Sequence, residues 1–267
     1  MPFAAPAFFF VLPVVRSTGV TRPAIPAATL VLMRERSDGP PELLIVTRAK
    51  GMAFAGGAVA FPGGRVDAAD EALAAGSDDP LAAFKIAAIR ETIEETAVVP
   101  WLDRDIDPDE AQSMQALLHD RSDLGLVLYH FDQAFDLAAL VPFARWKPAF
   151  QQARMFDTLF FLARAPRGHP EPHPQPGECE AAEWVSAIEL LQRIDAGAAH
   201  AIFPTKRNLE RLAQFGSFAE AEAHARAHAL ETITPWVEVR GGEKHVCIPE
   251  GRGYPVTSEP LATAFRA

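Results

Sequence analysis

Cysteine is almost absent from this chain: Cys179 and Cys247 are the only two in 267 residues. They lie far apart and form no Cys-x-x-Cys pair, which argues against a structural zinc site. Two reduced thiols in a cytoplasmic protein are the expectation. Basic charge is also short, with 25 Lys and Arg against 35 Asp and Glu, a net charge of −10 and a pI near 5.3. A nucleic-acid surface needs a basic footprint, so nucleic acid is not expected as a partner. Long apolar runs are missing too. The N-terminal stretch Phe3–Val15 contains Pro6 and Pro13 and lacks a basic start. It falls short of the roughly 20 residues that span a bilayer. A first strand or a packed arm is expected there, and no membrane partner. Ala264-Phe265-Arg266-Ala267 is not a Ser-Lys-Leu address. No internal repeat occurs. What is abundant is apolar content, 49%, enough for a sizeable core rather than disorder.

The pattern alternates strands and helices. Ala27–Met33 and Leu43–Arg48 are short apolar runs around a polar turn with Asp38-Gly39, which predicts a β-hairpin. Ala58–Phe61 reads as a short strand broken by Pro62-Gly63-Gly64, and residues 65–79 read as a loop. Asp79-Pro80 suits a cap and first helical position, predicting a helix to about Ala97 and another over 107–119. Leu124–His130 fits strand or helix equally. Phe156–Ala163 reads as a buried strand with Cys179–Val185 as its partner, across a proline-rich loop from Pro166 to Pro176. Ser186-x-x-Glu189 and Ser217-x-x-Glu220 are capping boxes that open helices, and Thr205 is a further cap. Trp236–Arg240 and Lys244–Ile248 flank Gly241-Gly242, a terminal hairpin. The order points to an α/β or α+β fold.

The chemistry concentrates in two segments. Residues 61–64 read Phe-Pro-Gly-Gly, and residues 90–95 read Arg-Glu-Thr-Ile-Glu-Glu. On a helix, Ile86, Ile89 and Ile93 share one face. Glu91, Glu94 and Glu95 fall opposite, within an arc of roughly 100°. Three carboxylates so placed repel one another unless cations neutralise them. Oxygen-only ligation suits Mg2+ or Mn2+, which also use substrate phosphate oxygens. Taken alone, Glu-x-x-Glu-Glu is more often a solvated acidic face. The glycines upstream change that balance, because their backbone N–H groups can approach an anion.

Together the segments resemble the Nudix box, Gly-x5-Glu-x7-Arg-Glu-U-x-Glu-Glu-x-Gly-U, where U is bulky and apolar. Gly64, Arg90, Glu91, Glu94, Glu95 and Val98 match it. Asp70 stands at the first glutamate, Thr92 at an apolar position and Ala97 at the last glycine. Nineteen residues, 71–89, separate Asp70 from Arg90 where the box has seven. A split box of this kind resembles the acyl-coenzyme A diphosphatase-like branch, which includes the peroxisomal coenzyme A diphosphatases of animals. Ala60–Asp70, Trp146-Lys147-Pro148, Arg154–Phe161 and Phe203-Pro204-Thr205 are similar to segments of that branch. The coenzyme A signature is partial, because Ala53 stands where arginine is expected.

The resemblance implies a Nudix α/β/α sandwich with a mixed sheet. Its core would span about 25–195, with a helical insertion over about 103–142 and a helical C-terminal extension over about 196–267. It implies metal-dependent attack of water on a diphosphate, with Mg2+ or Mn2+ as cofactor. Glu91, Glu94 and Glu95 would be metal ligands, and Arg90, Glu91 and Glu95 catalytic. Gly63, Gly64 and Arg65 would meet substrate, a small nucleoside diphosphate derivative. Coenzyme A or acyl-coenzyme A leads. ADP-ribose hydrolysis and a non-catalytic ligand sensor are the alternatives, and a homodimer is compatible. Glu178, Glu180 and Glu183 are candidates for a further carboxylate. Lys147, Arg154, Lys206 and Arg207 are candidates for a terminal phosphate. Asp157, inside an apolar strand, needs a partner, with Arg154 or a backbone cap expected. His224 and His228, at i and i+4 without His-Glu-x-x-His, read as a solvated face.

Overall fold

The expected hairpin opens the structure, a computed structural model that describes residues 23–264 apart from 53–54, 101–105, 121–122, 135, 149–154, 166–167 and 169–170. Strand β1 (Ile25–Arg34) turns into β2 (Glu42–Arg48). The two pair only at Met33↔Leu43 and Arg34↔Glu42. Beyond that they diverge, and each takes a short strand. β3 (Val59–Ala60) pairs with β2, and β4 (Gly63–Arg65) pairs with β1. The diglycine therefore does not simply break the chain. It forms a strand whose backbone lies against Ala28 and Thr29.

Residues 65–79 hold a short helix, α1 (Ala68–Leu73), where the sequence reads as loop. The Asp70 carboxylate fastens its start, accepting from the Asp67 N–H at 2.9 Å. Helix α2 (Ala82–Thr96) begins two residues later than Asp79-Pro80 predicts. Asp79 still accepts from the Leu81 N–H at 2.8 Å and from Lys85 Nζ at 2.7 Å. At its end Ala97 adopts φ 54°, a left-handed cap usually filled by glycine. α3 (Pro108–His119) is capped by Asp107. The ambiguous segment 124–130 is helix α4, capped by Asp123.

β5 (Val141–Trp146) and β6 (Phe156–Arg164) follow, then β7 (Cys179–Ser186). β6 runs parallel to β1 over nine residue pairs and antiparallel to β5. β7 pairs with β2, not with β6 as the sequence suggested. Alternation fixes which face a strand buries, whereas its neighbour depends on long-range register. Asp157, half-buried, is paired by Arg145 from β5, Nε and Nη2 both at 2.8 Å. Arg154, the expected partner, lies outside the described residues, as does the Phe3–Val15 arm.

Two layers cover the mixed sheet. Ala28, Leu30 and Leu32 of β1 and Phe161 of β6 face Ile86, Ile89 and Ile93 of α2, with Met114 and Val127 behind. The opposite face, with Val31, Met33, Phe160 and Leu162, packs against α5 (Ala187–Asp195), α6 (Phe203–Leu212) and α7 (Phe218–Ala227). Ser186 and Ser217 cap α5 and α7, accepting from the Glu189 and Glu220 N–H groups, but the expected boxes do not close: the Glu189 carboxylate meets Arg193, and that of Glu220 accepts from the Gly216 N–H. Thr205 does not cap α6, because Ile202 holds that position and Pro204 sits in the first turn. The result is the expected α/β/α sandwich. No helix among the described residues is long and apolar enough to cross a membrane.

The C-terminal extension is helical only in its first half. β8 (Thr232–Ile233) joins the edge of the main sheet beside β5. A second sheet follows, from β9 (Trp236–Arg240), β10 (Glu243–Cys247) and β11 (Ser258–Pro260), and ends in α8 (Leu261–Ala264). Buried polar side chains tie it to the core. Trp146 Nε1 donates to the Tyr254 hydroxyl at 3.0 Å, which donates to Asn208 at 2.7 Å. Arg211 donates to the Phe143 carbonyl at 2.9 Å, and its guanidinium lies 4.0 Å from the Phe143 ring centre and 5.1 Å from that of Tyr254. Arg211→Ala leaves a buried carbonyl unpaired and a void between two rings. It is expected to cost about 3 kcal/mol, read from urea unfolding; an unchanged midpoint would contradict this role.

Candidate active site

Helix α2 presents its carboxylates toward β4, and one arginine organises them. Arg90 is 7% exposed and uses all five of its N–H groups. Nε and Nη2 form a fork on Asp70, each at 3.0 Å. Nη1 donates to Glu91 at 2.9 Å and Glu94 at 3.1 Å, and Nη2 also donates to the Arg65 carbonyl at 2.9 Å. Asp70 is 1% exposed. The residue to which the sequence alone assigned no role thus anchors the guanidinium. The stretch 71–89 folds out as the end of α1, a turn and the start of α2, and it brings Asp70 back beside Arg90.

Glycine at β4 sets how closely the helix approaches. A Cβ at Gly64 would lie 2.3 Å from Glu91 Oε1, and one at Gly63 would lie 2.4 Å from the Ala28 carbonyl. The Gly63 N–H donates to Glu95 Oε2 at 3.1 Å. This absence of side chains lets carboxylates from the helical layer reach the other side of the sheet. There Glu91 and Glu95 line a cavity of about 730 Å³ with Gly63, Gly64, Arg65 and Glu178. Its remaining wall is largely apolar and aromatic, with Phe61, Trp146, Phe160 and Phe203.

Burial dominates the electrostatics. It pushes Glu91 up to about 7, with the Arg90 charge opposing and Glu94 reinforcing. Burial and the Glu91 charge hold Glu95 well above the usual carboxylate range, against the Gly63 N–H and the Arg48 charge. Burial likewise raises Glu94, opposed by Arg90. Burial works against the Arg90 charge too, but Asp70, Glu91 and Glu94 outweigh it, so its pKa rises.

The expected residues separate on this geometry. Glu91, Glu95, Gly63, Gly64 and Arg65 all line the cavity. Glu94 is turned to Arg90. Of the downstream carboxylates, Glu178 lines the cavity, whereas Glu183 is held by Arg193 at 2.9 Å and Glu180 accepts from the Lys50 N–H. Arg207 is buried against Glu210 and Glu259, and Lys206 reaches Glu259 at 3.2 Å. Neither is free for a terminal phosphate, while Lys147 does line the cavity. His224 packs on His228 and Phe215. Arg48, His200, Val246 and Ala264 also line the cavity, yet none belongs to a local motif that sequence could flag.

Among the described residues, no three His, Cys, Asp or Glu side chains stand close enough together to form a ready metal cage. The donor chemistry nevertheless fits a hard cation. Two carboxylates with raised pKa values, Glu95 buried and Glu91 half-buried, gain most from added positive charge, and Mg2+ is commonly held by one or two carboxylates with waters and substrate phosphates completing its shell. One consequence concerns the cation-free chain. Folded Glu91 keeps its proton to about 7, against 4.5 for its ordinary value. The folded state therefore binds more protons across that window, and stability is lost as pH rises through it. Unfolding midpoints measured in chelator should fall from about pH 4.5 to about pH 7, and Glu91→Gln should flatten the slope. A slope unchanged in that variant would remove Glu91 as its source.

No protein-family model matches the chain. A human protein, acyl-coenzyme A diphosphatase NUDT19, is 26% identical over 173 residues, covering 59% of this chain and 46% of the human one. The chain thus spans less than half the length of that curated relative. A solved Nudix hydrolase from Alicyclobacillus acidocaldarius is 33% identical, with a TM-score of 0.66, and the match covers 76% of this chain and 97% of that one. A likeness at that identity, running through nearly all of a solved member, matches the split box and its arginine-centred carboxylates: the chain belongs to the Nudix hydrolase family.

Proposed function

We propose that the chain hydrolyses the diphosphate of an acyl-coenzyme A, giving acyl-phosphopantetheine and adenosine 3′,5′-bisphosphate, with Mg2+ or Mn2+ as cofactor. One observation carries the reading: Glu91 and Glu95 open into the same cavity as a broad aromatic wall. Carboxylates of that kind suit a cation-bridged diphosphate. Aromatic wall can stack on the adenine of either substrate, but its apolar extent is used further by an acyl chain, which a nucleotide sugar lacks. The name of the human relative supports the same substrate class.

Glu91 and Glu95 would hold the cation, with Glu178 as a third carboxylate on the wall. A bound cation would polarise a phosphoryl oxygen and acidify the attacking water. Water adds to one phosphorus as its bridging P–O bond breaks, and the proton passes to a carboxylate. Glu91, which lines the cavity beside Gly64, is the candidate for that role. Arg90 acts through others, keeping Glu91 and Glu94 in register with Asp70. Gly63 and Gly64 leave room for Glu91 and Glu95 beside the phosphates, and Arg65, 64% exposed, can meet phosphate charge.

The decisive measurement incubates the full chain with Mg2+ and coenzyme A, decanoyl-coenzyme A or ADP-ribose, and weighs the products. Cleavage of the acyl thioester at its diphosphate is expected. Turnover of ADP-ribose alone would replace the substrate, and no turnover of any would end the enzyme reading. Glu95→Gln should lower kcat by at least about a hundredfold while the fold persists. Gly64→Ala forces the Glu91 carboxylate aside and should also cost about a hundredfold. Near-native kinetics in either variant would contradict these roles.

A further inference from the structure

The C-terminal sheet is part of the cavity. Val246 of β10 and Ala264 at the end of α8 line it, facing the same space as Trp146, Phe160 and Phe203. Val246 is 1% exposed and Ala264 8%. Both belong to the apolar cluster that holds those aromatics. Trp146 and Phe203 meet edge to face with ring centres 6.2 Å apart, so this part of the wall is packed rather than open.

The sheet is also fixed in place. Glu259, on β11 just before α8, is 8% exposed and receives Arg207 at 3.0 Å and Lys206 at 3.2 Å from α6. Tyr254, in the connection between β10 and β11, is gripped by Trp146 and Asn208. A wall held at both ends by buried polar contacts keeps its position when a ligand presses on it. Its two cavity-lining residues are moderate or small, so side-chain size there sets how deep the apolar space runs.

We propose that Val246 and Ala264 form the stop for the acyl chain, making the C-terminal sheet a ruler of substrate length. The proposal rests on the acyl-coenzyme A reading for its ligand, a linear thioester-linked hydrocarbon. Enlarging Ala264 shortens the space, and trimming Val246 lengthens it. A methylene gained or lost in an apolar pocket changes discrimination by about tenfold or more.

The test compares the full chain with Ala264→Leu and Val246→Ala, each confirmed folded by thermal melting. The readout is the ratio of kcat/KM for decanoyl- over acetyl-coenzyme A. It should fall about tenfold in Ala264→Leu and rise in Val246→Ala. These opposite shifts would not come from general loosening of the wall. An unchanged ratio in the folded variants overturns the ruler, and either variant alone decides if the other fails to fold. Calorimetric binding in chelator separates this idea from the hydrolytic one. Decanoyl-coenzyme A should bind the parent chain about tenfold more tightly than coenzyme A, and Ala264→Leu should erase that gap. A gap that is absent, or that survives the substitution, overturns the ruler even where hydrolysis is intact. A chain that binds in this pattern without cleaving would instead remove the hydrolytic reading alone.

Discussion

A single guanidinium holds the site together. Arg90 spends every N–H it has, on Asp70 twice, on Glu91, on Glu94 and on the Arg65 carbonyl. Buried carboxylates this close would otherwise repel one another or stay protonated. The planar fork satisfies two directions at once, which a lysine ammonium does not. It joins α1, α2 and β4 through polar contacts, where β1 already holds α2 and β4 by packing and pairing. The arrangement is still unbalanced without a cation, since Glu91 and Glu95 remain raised despite the arginine. The site therefore retains an electrostatic demand for further positive charge.

The second constraint is geometric. β1 and β2 part after two residue pairs, and β3 and β4 edge the gap. Carboxylates from the helical layer cross to the cavity only because β4 is glycine where they pass. A methyl group at residue 64 would overlap the Glu91 carboxylate. Glycine acts here through missing volume. The cavity beyond then joins two unlike surfaces, a carboxylate end at the sheet opening and an aromatic end under α6 and the second sheet. A ligand spanning both would meet carboxylates at one end and an aromatic surface at the other.

Much of this was legible in the sequence for local reasons. The isoleucine stripe of α2, the caps at Asp107, Ser186 and Ser217, and the two hairpins rest on contacts within a few residues. The box residues were legible because their spacing repeats a known pattern. Other features escaped. Helix α1 is six residues of small and acidic side chains, too short for periodicity to register. The partner of β7 and the Arg145–Asp157 pair depend on which strands meet across the sheet. A capping reading of Thr205 was reasonable by residue type, but Ile202 and Pro204 set the start of α6 instead.

The sequence by itself determined the α/β class, the carboxylate face of α2 and the glycines that admit it, because each is written in neighbouring residues. Only the tertiary structure decided what Asp70 does, since twenty positions of chain must fold back before it meets Arg90. It alone brought Glu178 into the cavity while turning Glu180 and Glu183 away. It alone made Val246 and Ala264 part of a wall that begins at Phe61, because the cavity is enclosed by segments whose only relation is their packing in three dimensions.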